Sequence, residues 1–125
     1  MTEEMQKLAA ELGALVRADE RFAALDAAID AYERSEDLNG LIAEYNVQQN
    51  LLADLAGGED IAREAVQKRI DALFDEITNH PAYVGYEDAK AEFDRLMNDV
   101  WGELQFAVTG RRACSHNCAS CGGCA

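Results

Sequence analysis

Proline, histidine and basic residues are all scarce in this chain of 125 residues, and no cysteine occurs before position 114. The single proline, Pro81, leaves long stretches free of the residue that most disrupts a helix. With only His80 and His116, and no glutamate three residues ahead of either, the paired Glu-x-x-His motifs of a di-iron bundle cannot be assembled. Eleven Lys and Arg stand against 24 Asp and Glu, a formal charge of -13. Such a surface repels phosphate backbones, because nucleic-acid binding starts with basic groups displacing counterions. Direct contact with RNA or DNA is therefore not expected.

Other absences narrow the field further. There is no glycine-rich phosphate loop and no nucleophile beside an evident base, so residues 1 to 110 carry no recognisable catalytic constellation and an enzyme is not expected. No apolar run is long enough to span a bilayer, which predicts no membrane insertion. The start, Met1-Thr2-Glu3-Glu4-Met5, lacks the basic and apolar regions of a secretory signal. A cytoplasmic location is the expectation, and there thiols stay reduced and available to metals.

What the sequence does have is helical periodicity. Thr2 followed by Glu3 and Glu4 reads as a capped helix start, with acids in the positive first turn. Met5, Leu8, Leu12, Leu15 and Val16 then form one apolar stripe. Asp19 predicts a second cap, ahead of Phe22, Leu25, Ile29 and Tyr32. Ser35 with Glu36 and Asp37 predicts a third. The third helix carries Leu38, Leu41, Ile42, Tyr45, Leu52 and Leu55, but Gln48 interrupts that face, either to fix register against another helix or subunit or as a half-exposed residue at its edge; Gly57-Gly58 ends the helix.

A fourth helix opens at Glu59-Asp60, with Ile61, Ala65, Val66, Ile70, Leu73, Phe74 and Ile77 as its expected core positions. Asn79-His80-Pro81 breaks the chain, since proline disfavours helical geometry before it and suits the first turn after it. Glu76 and His80, four apart, predict a helix-end cap or ion pair. The last helix bears Tyr86, Ala89, Phe93, Leu96, Met97, Val100, Trp101, Leu104 and Val108, and should end at Gly110. The fold class is all-α: about five antiparallel helices over residues 1 to 110, then an irregular cysteine-rich tail over 111 to 125. The apolar stripes of the second half are wide enough to meet another subunit.

The tail concentrates what chemistry there is. Cys114, Cys118, Cys121 and Cys124 are spaced CxxxCxxCxxC, and Gly122-Gly123 permits a turn that brings sulfurs together. A compact run of this kind suits an iron-sulfur cluster, [4Fe-4S] foremost. Zinc is the alternative, although structural zinc usually joins two pairs across a folded insert. Redox-active or idle thiols are a third possibility. His116 is a less favoured substitute ligand. Arg111 and Arg112, just before the run, either offset the negative charge of a thiolate site or answer the helix dipole.

Taken together, Ser35-Glu36-Asp37, Leu41-Ile42-Ala43-Glu44-Tyr45, Gln48-Gln49, and His80-Pro81 with Tyr86, Ala89 and Phe93 resemble the YlbF/YmcA family of small helical bacterial regulators, over roughly residues 5 to 108. The resemblance implies a helical bundle that associates with itself or with related chains. It also implies a non-enzymatic adaptor in a complex with a YaaT-like partner that carries iron-sulfur clusters and adjusts RNase Y-dependent processing of messenger RNA, with effects on competence, sporulation and biofilm formation. On that reading the four cysteines hold the cluster.

Overall fold

The computed structural model describes residues 1 to 55, 57, 58 and 60 to 112. Among them the chain is five α-helices without a strand: α1 (Glu3–Arg17), α2 (Glu20–Arg34), α3 (Glu36–Asp54), α4 (Asp60–Thr78) and α5 (Pro81–Thr109). The expected all-α bundle is what forms.

Its boundaries are set by local chemistry. Thr2 Oγ1 accepts from Met5 N at 3.1 Å, and Ser35 Oγ accepts from Leu38 N at 3.2 Å. Asp19 Oδ1 accepts from Arg21 N at 2.8 Å. Each satisfies one of the amides that a helix start leaves without a partner. Asn39, a poor helix former, donates its side-chain N–H to the Glu33 carbonyl at 3.0 Å and so ties α3 to the end of α2. The third helix stops at Asp54 with Leu55 as its cap, ahead of the glycines, and Gly57 takes a φ of 92°. Gly110, at φ 70°, closes α5 in the left-handed conformation that only glycine adopts without strain.

The helices pair two by two. α2 runs antiparallel to the first half of α5, with Phe22 against Phe93 (ring centroids 5.9 Å apart) and Tyr32 against Tyr86 (5.3 Å). α3 and α4 form an antiparallel hairpin in which Arg69 grips Glu44 with Nε–Oε1 and Nη2–Oε2 distances of 2.8 and 2.9 Å. That register sets Leu38 near the start of α3 opposite the turn from Leu73 to Ile77 in α4. Contacts of α1 with α2, and of α4 with α5, are slight.

The buried core is confined to this meeting point. Leu38 and Leu73 are fully enclosed, and Ile70 and Ile77 nearly so. Full burial of one such side chain contributes about 1.5–3 kcal/mol. The apolar stripes read from the sequence are real, but several of them are not covered. Ile61 is 82% exposed and Phe74 55% exposed, so neither is a core position of α4. Trp101, Leu104 and Val108 on α5 are also exposed, as are Met5, Leu8, Leu12 and Leu15 on α1. On α5 the reason is length. A helix rises about 1.5 Å per residue, so the 15 residues of α2 reach along only half of the 29 of α5.

Candidate functional site

The sequence-predicted ligands Cys114, Cys118, Cys121 and Cys124, with His116, lie outside the described residues. The described residues run up to Arg112, two positions before the first of them. Thr109 Oγ1 accepts from Arg111 N at 3.2 Å and lies 2.8 Å from the Gln105 carbonyl, fastening the turn after α5. Arg112 folds back along the helix: its Nη1 is 2.6 Å from Glu103 Oε1, and its guanidinium stands 4.4 Å from the centre of the Phe106 ring. This is more than a basic residue answering a helix dipole. A carboxylate and an aromatic face both hold the cation on the side of α5.

His80 acts as a cap. Its Nδ1 accepts from Ala82 N at 3.1 Å at the start of α5, directly before Pro81. Of the cap and the ion pair with Glu76, the cap is what forms. Tyr32, Tyr45, Tyr83 and Tyr86 are half-buried boundary residues, and Tyr45 Oη accepts from Gln49 Nε2 at 2.9 Å. Gln48 is half-buried, which fits the edge position rather than a polar residue enclosed in the seam. No group of three or more His, Cys, Asp or Glu converges among the described residues.

Two open depressions flank the α2–α5 pair. One, about 790 Å³, is bordered by the charged Glu20, Arg21, Asp88 and Glu92 and by Ala24 and Ala89. Arg21 is already held there by Asp19, with Nε–Oδ1 and Nη2–Oδ2 distances of 2.9 and 3.0 Å. The same contacts pull the Asp19 carboxyl down from 3.8 to about 2, the Arg21 side chain contributing most and its backbone N–H next.

The other, about 420 Å³, is a cleft between α1 and α5. Leu12 and Val16 form one wall, Met97 and Val100 the other, and Phe22 and Phe93 the floor. Reading the stripes one at a time misses this cleft, because it arises where two of them splay apart. One signal was available: Met5, Leu8, Leu12 and Leu15 recur at intervals of three, four and three, the seam spacing of paired helices. No helix among the described residues is long and apolar enough to cross a membrane.

With five helices, a small core and an open apolar cleft among the described residues, the chain belongs to the class of all-α helical bundles. It is a member of the YlbF/YmcA family, described as control of competence regulator ComK, whose profile matches residues 5–109. It is also similar to a UPF0342 protein of Desulfitobacterium hafniense (strain Y51), at 26% identity over 129 residues covering 98% of each chain. No solved structure matches it. The matched span takes in α2 to α5 and all of α1 but its first two residues, and stops short of the cysteines.

Proposed function

We propose that this protein is a non-enzymatic regulatory adaptor that works by helix-to-helix contact inside a larger complex, and that its cysteine tail holds an iron-sulfur cluster. The observation that carries the first part is the uncovered apolar face of α1 and the far half of α5, in a chain of a family described as controlling a competence regulator. The complex is of the kind that pairs related helical chains with a YaaT-like protein and adjusts RNase Y-dependent processing of messenger RNA. In that arrangement the strongly acidic adaptor touches protein, and the nuclease touches RNA.

The donor set fits a cluster. Cys114, Cys118, Cys121 and Cys124 supply four soft thiolate ligands in eleven residues, with no carboxylate among them to favour a harder ion. A bound cluster would supply a centre sensitive to iron and oxygen. The chain's own part is to offer the thiolates directly after a helix end secured by Gly110, Thr109 and Arg112.

Co-expression with a related family chain and a YaaT-like protein, followed by purification without oxygen, tests both parts. Recovery of one complex containing iron and acid-labile sulfide is expected. Stoichiometric zinc without sulfide would remove the cluster. Failure of the chain to co-purify with either partner would remove the adaptor.

A further inference from the structure

α1 is the helix that the rest of the fold supports least. None of its 15 residues is buried, and it touches α2 only slightly. Gly13 in its interior weakens it further. A helix of that length is marginal in water by itself and draws its stability from the face it packs.

The register of the neighbouring pair shows where that face leads. Two residues, Ala18 and Asp19, separate α1 from α2, and the 15 residues of each helix together match the 29 of α5. Equal steps back along the chain from Phe22, and forward along α5 from its partner Phe93, bring Val16, Leu12 and Leu8 to within one position of Val100, Leu104 and Val108. Each set of three recurs every four residues, so each forms one row on its helix. Exposure along both rows rises away from Asp19. Val16 and Val100 are half-buried, Leu12 and Leu104 are 42% and 50% exposed, and Leu8 and Val108 are 58% and 77% exposed. The cleft is therefore a wedge, narrow at the Phe22–Phe93 end and open at the other.

A joint lies at the narrow end. Ala18 N and Asp19 N donate to the Ala14 and Val16 carbonyls, both at 3.1 Å, and complete α1. The Asp19 carboxylate belongs to α2, which it caps through Arg21 N. Between the two lies the Asp19 backbone, extended at φ -71° and ψ 142°.

We infer that α1 is a strap hinged at Asp19 that closes on the far half of α5 of its own chain, seating Leu12 on Leu104 and Leu8 on Val108 and shielding the neighbouring Trp101. Closed, α1 and α2 together cover α5 from end to end. One consequence rests on the adaptor reading: the strap holds the apolar face shut until a partner helix displaces α1. Closure is measured on the chain alone, so it can fail while the co-purification above succeeds, and the reverse.

The test uses the full chain with reductant and chelator, so that thiols do not bridge copies. Emission of Trp101, the chain's one tryptophan, its quenching by acrylamide and the sedimented mass are followed from 1 to 100 μM, and hydrogen exchange of the α1 amides is recorded. Trp101 should be blue-shifted and poorly quenched at every concentration, with α1 protected. In Leu8→Gln/Leu12→Gln, glutamine keeps the helix propensity of leucine and removes the apolar contact. Its emission should move to the red and its α1 amides should exchange like those of a free peptide. The other helices should keep their protection, because neither leucine is part of the buried core. Val47→Gln, at an exposed apolar site on α3, should change nothing. A photoreactive phenylalanine analogue at Leu12, in an equilibrated mixture of normal and heavy-isotope chains, should link to α5 within single chains. A wild-type Trp101 as red and as quenched as the variant's overturns the inference. So does a blue shift that appears only as the mass rises, unchanged α1 protection in the variant, or a photoprobe that reaches α5 only across chains or not at all.

Discussion

Asp19 performs two tasks with one carboxylate: it caps α2 through the Arg21 amide and clamps the Arg21 guanidinium. Both contacts favour the ionised form, which is why its pKa lies at about 2 in the folded chain. A carboxyl depressed on folding stabilises the native state above its unfolded pKa, and that contribution drains away as pH falls from about 4 toward 2. Asp19→Asn keeps an oxygen able to cap but cannot ionise. Its urea midpoint should be below that of the wild type at pH 6, and the gap should narrow steadily as pH falls from about 4 toward 2. A gap that is constant with pH would show that the charge contributes nothing.

Two neighbours on α4 separate burial from mere hydrophobicity. Leu73 is fully enclosed, whereas Phe74 is 55% exposed. Leu73→Ala should cost about 2–5 kcal/mol, because the cavity sits among the few residues that form the core. Phe74→Ala should cost less than half as much, although it removes the larger side chain. Chemical denaturation of the two variants compares them directly. Equal losses would mean that Phe74 is covered by something other than this chain's own helices.

At the scale of the element, the ends of the helices were readable in the sequence and their burial was not. Thr2, Asp19, Ser35, Pro81 and Gly110 act through chemistry within three or four residues, so their roles follow from the residue type and its neighbours. Ile61, Phe74 and Trp101 sit on apolar stripes that the sequence displays equally clearly. Periodicity says which face is apolar, but whether another helix reaches that face depends on the lengths and pairing of α2 through α5. The candidate tail site was visible only as a spacing of thiols, and its residues lie outside those described.

His80 marks the limit of local reading, since its separation from Glu76 allowed an ion pair as readily as a cap. Its Nδ1 caps the longest helix at the position where Pro81 can donate nothing. His80→Ala should therefore lower stability by about 1 kcal/mol. His80→Asp should recover that loss, because a carboxylate both caps and complements the helix dipole. Thermal melts at pH 7 order the three proteins. An aspartate variant no more stable than the alanine one would mean that the histidine serves by packing instead.

For the whole molecule, the question is whether the cysteine tail and the helical body are separable. The caps, the α2–α5 pair and the Leu38–Leu73 core involve only residues up to 110, and Arg112 supplies the last described contact. A chain ending at Arg112 should then keep the helix content of the full protein, and its melting temperature should match within about 2 °C, a shift smaller than 1 kcal/mol produces in a domain of this size. Metal content should behave oppositely. The full chain isolated without oxygen should carry iron and sulfide, and the shortened chain neither. Circular dichroism melts and metal analysis on the same two preparations decide the matter. A fall of many degrees on truncation would mean that the tail completes the core, making the cluster a structural staple. An unchanged melt with lost metal would make the tail a sensor carried by an independently folded adaptor, able to change state without unfolding the faces through which the body binds.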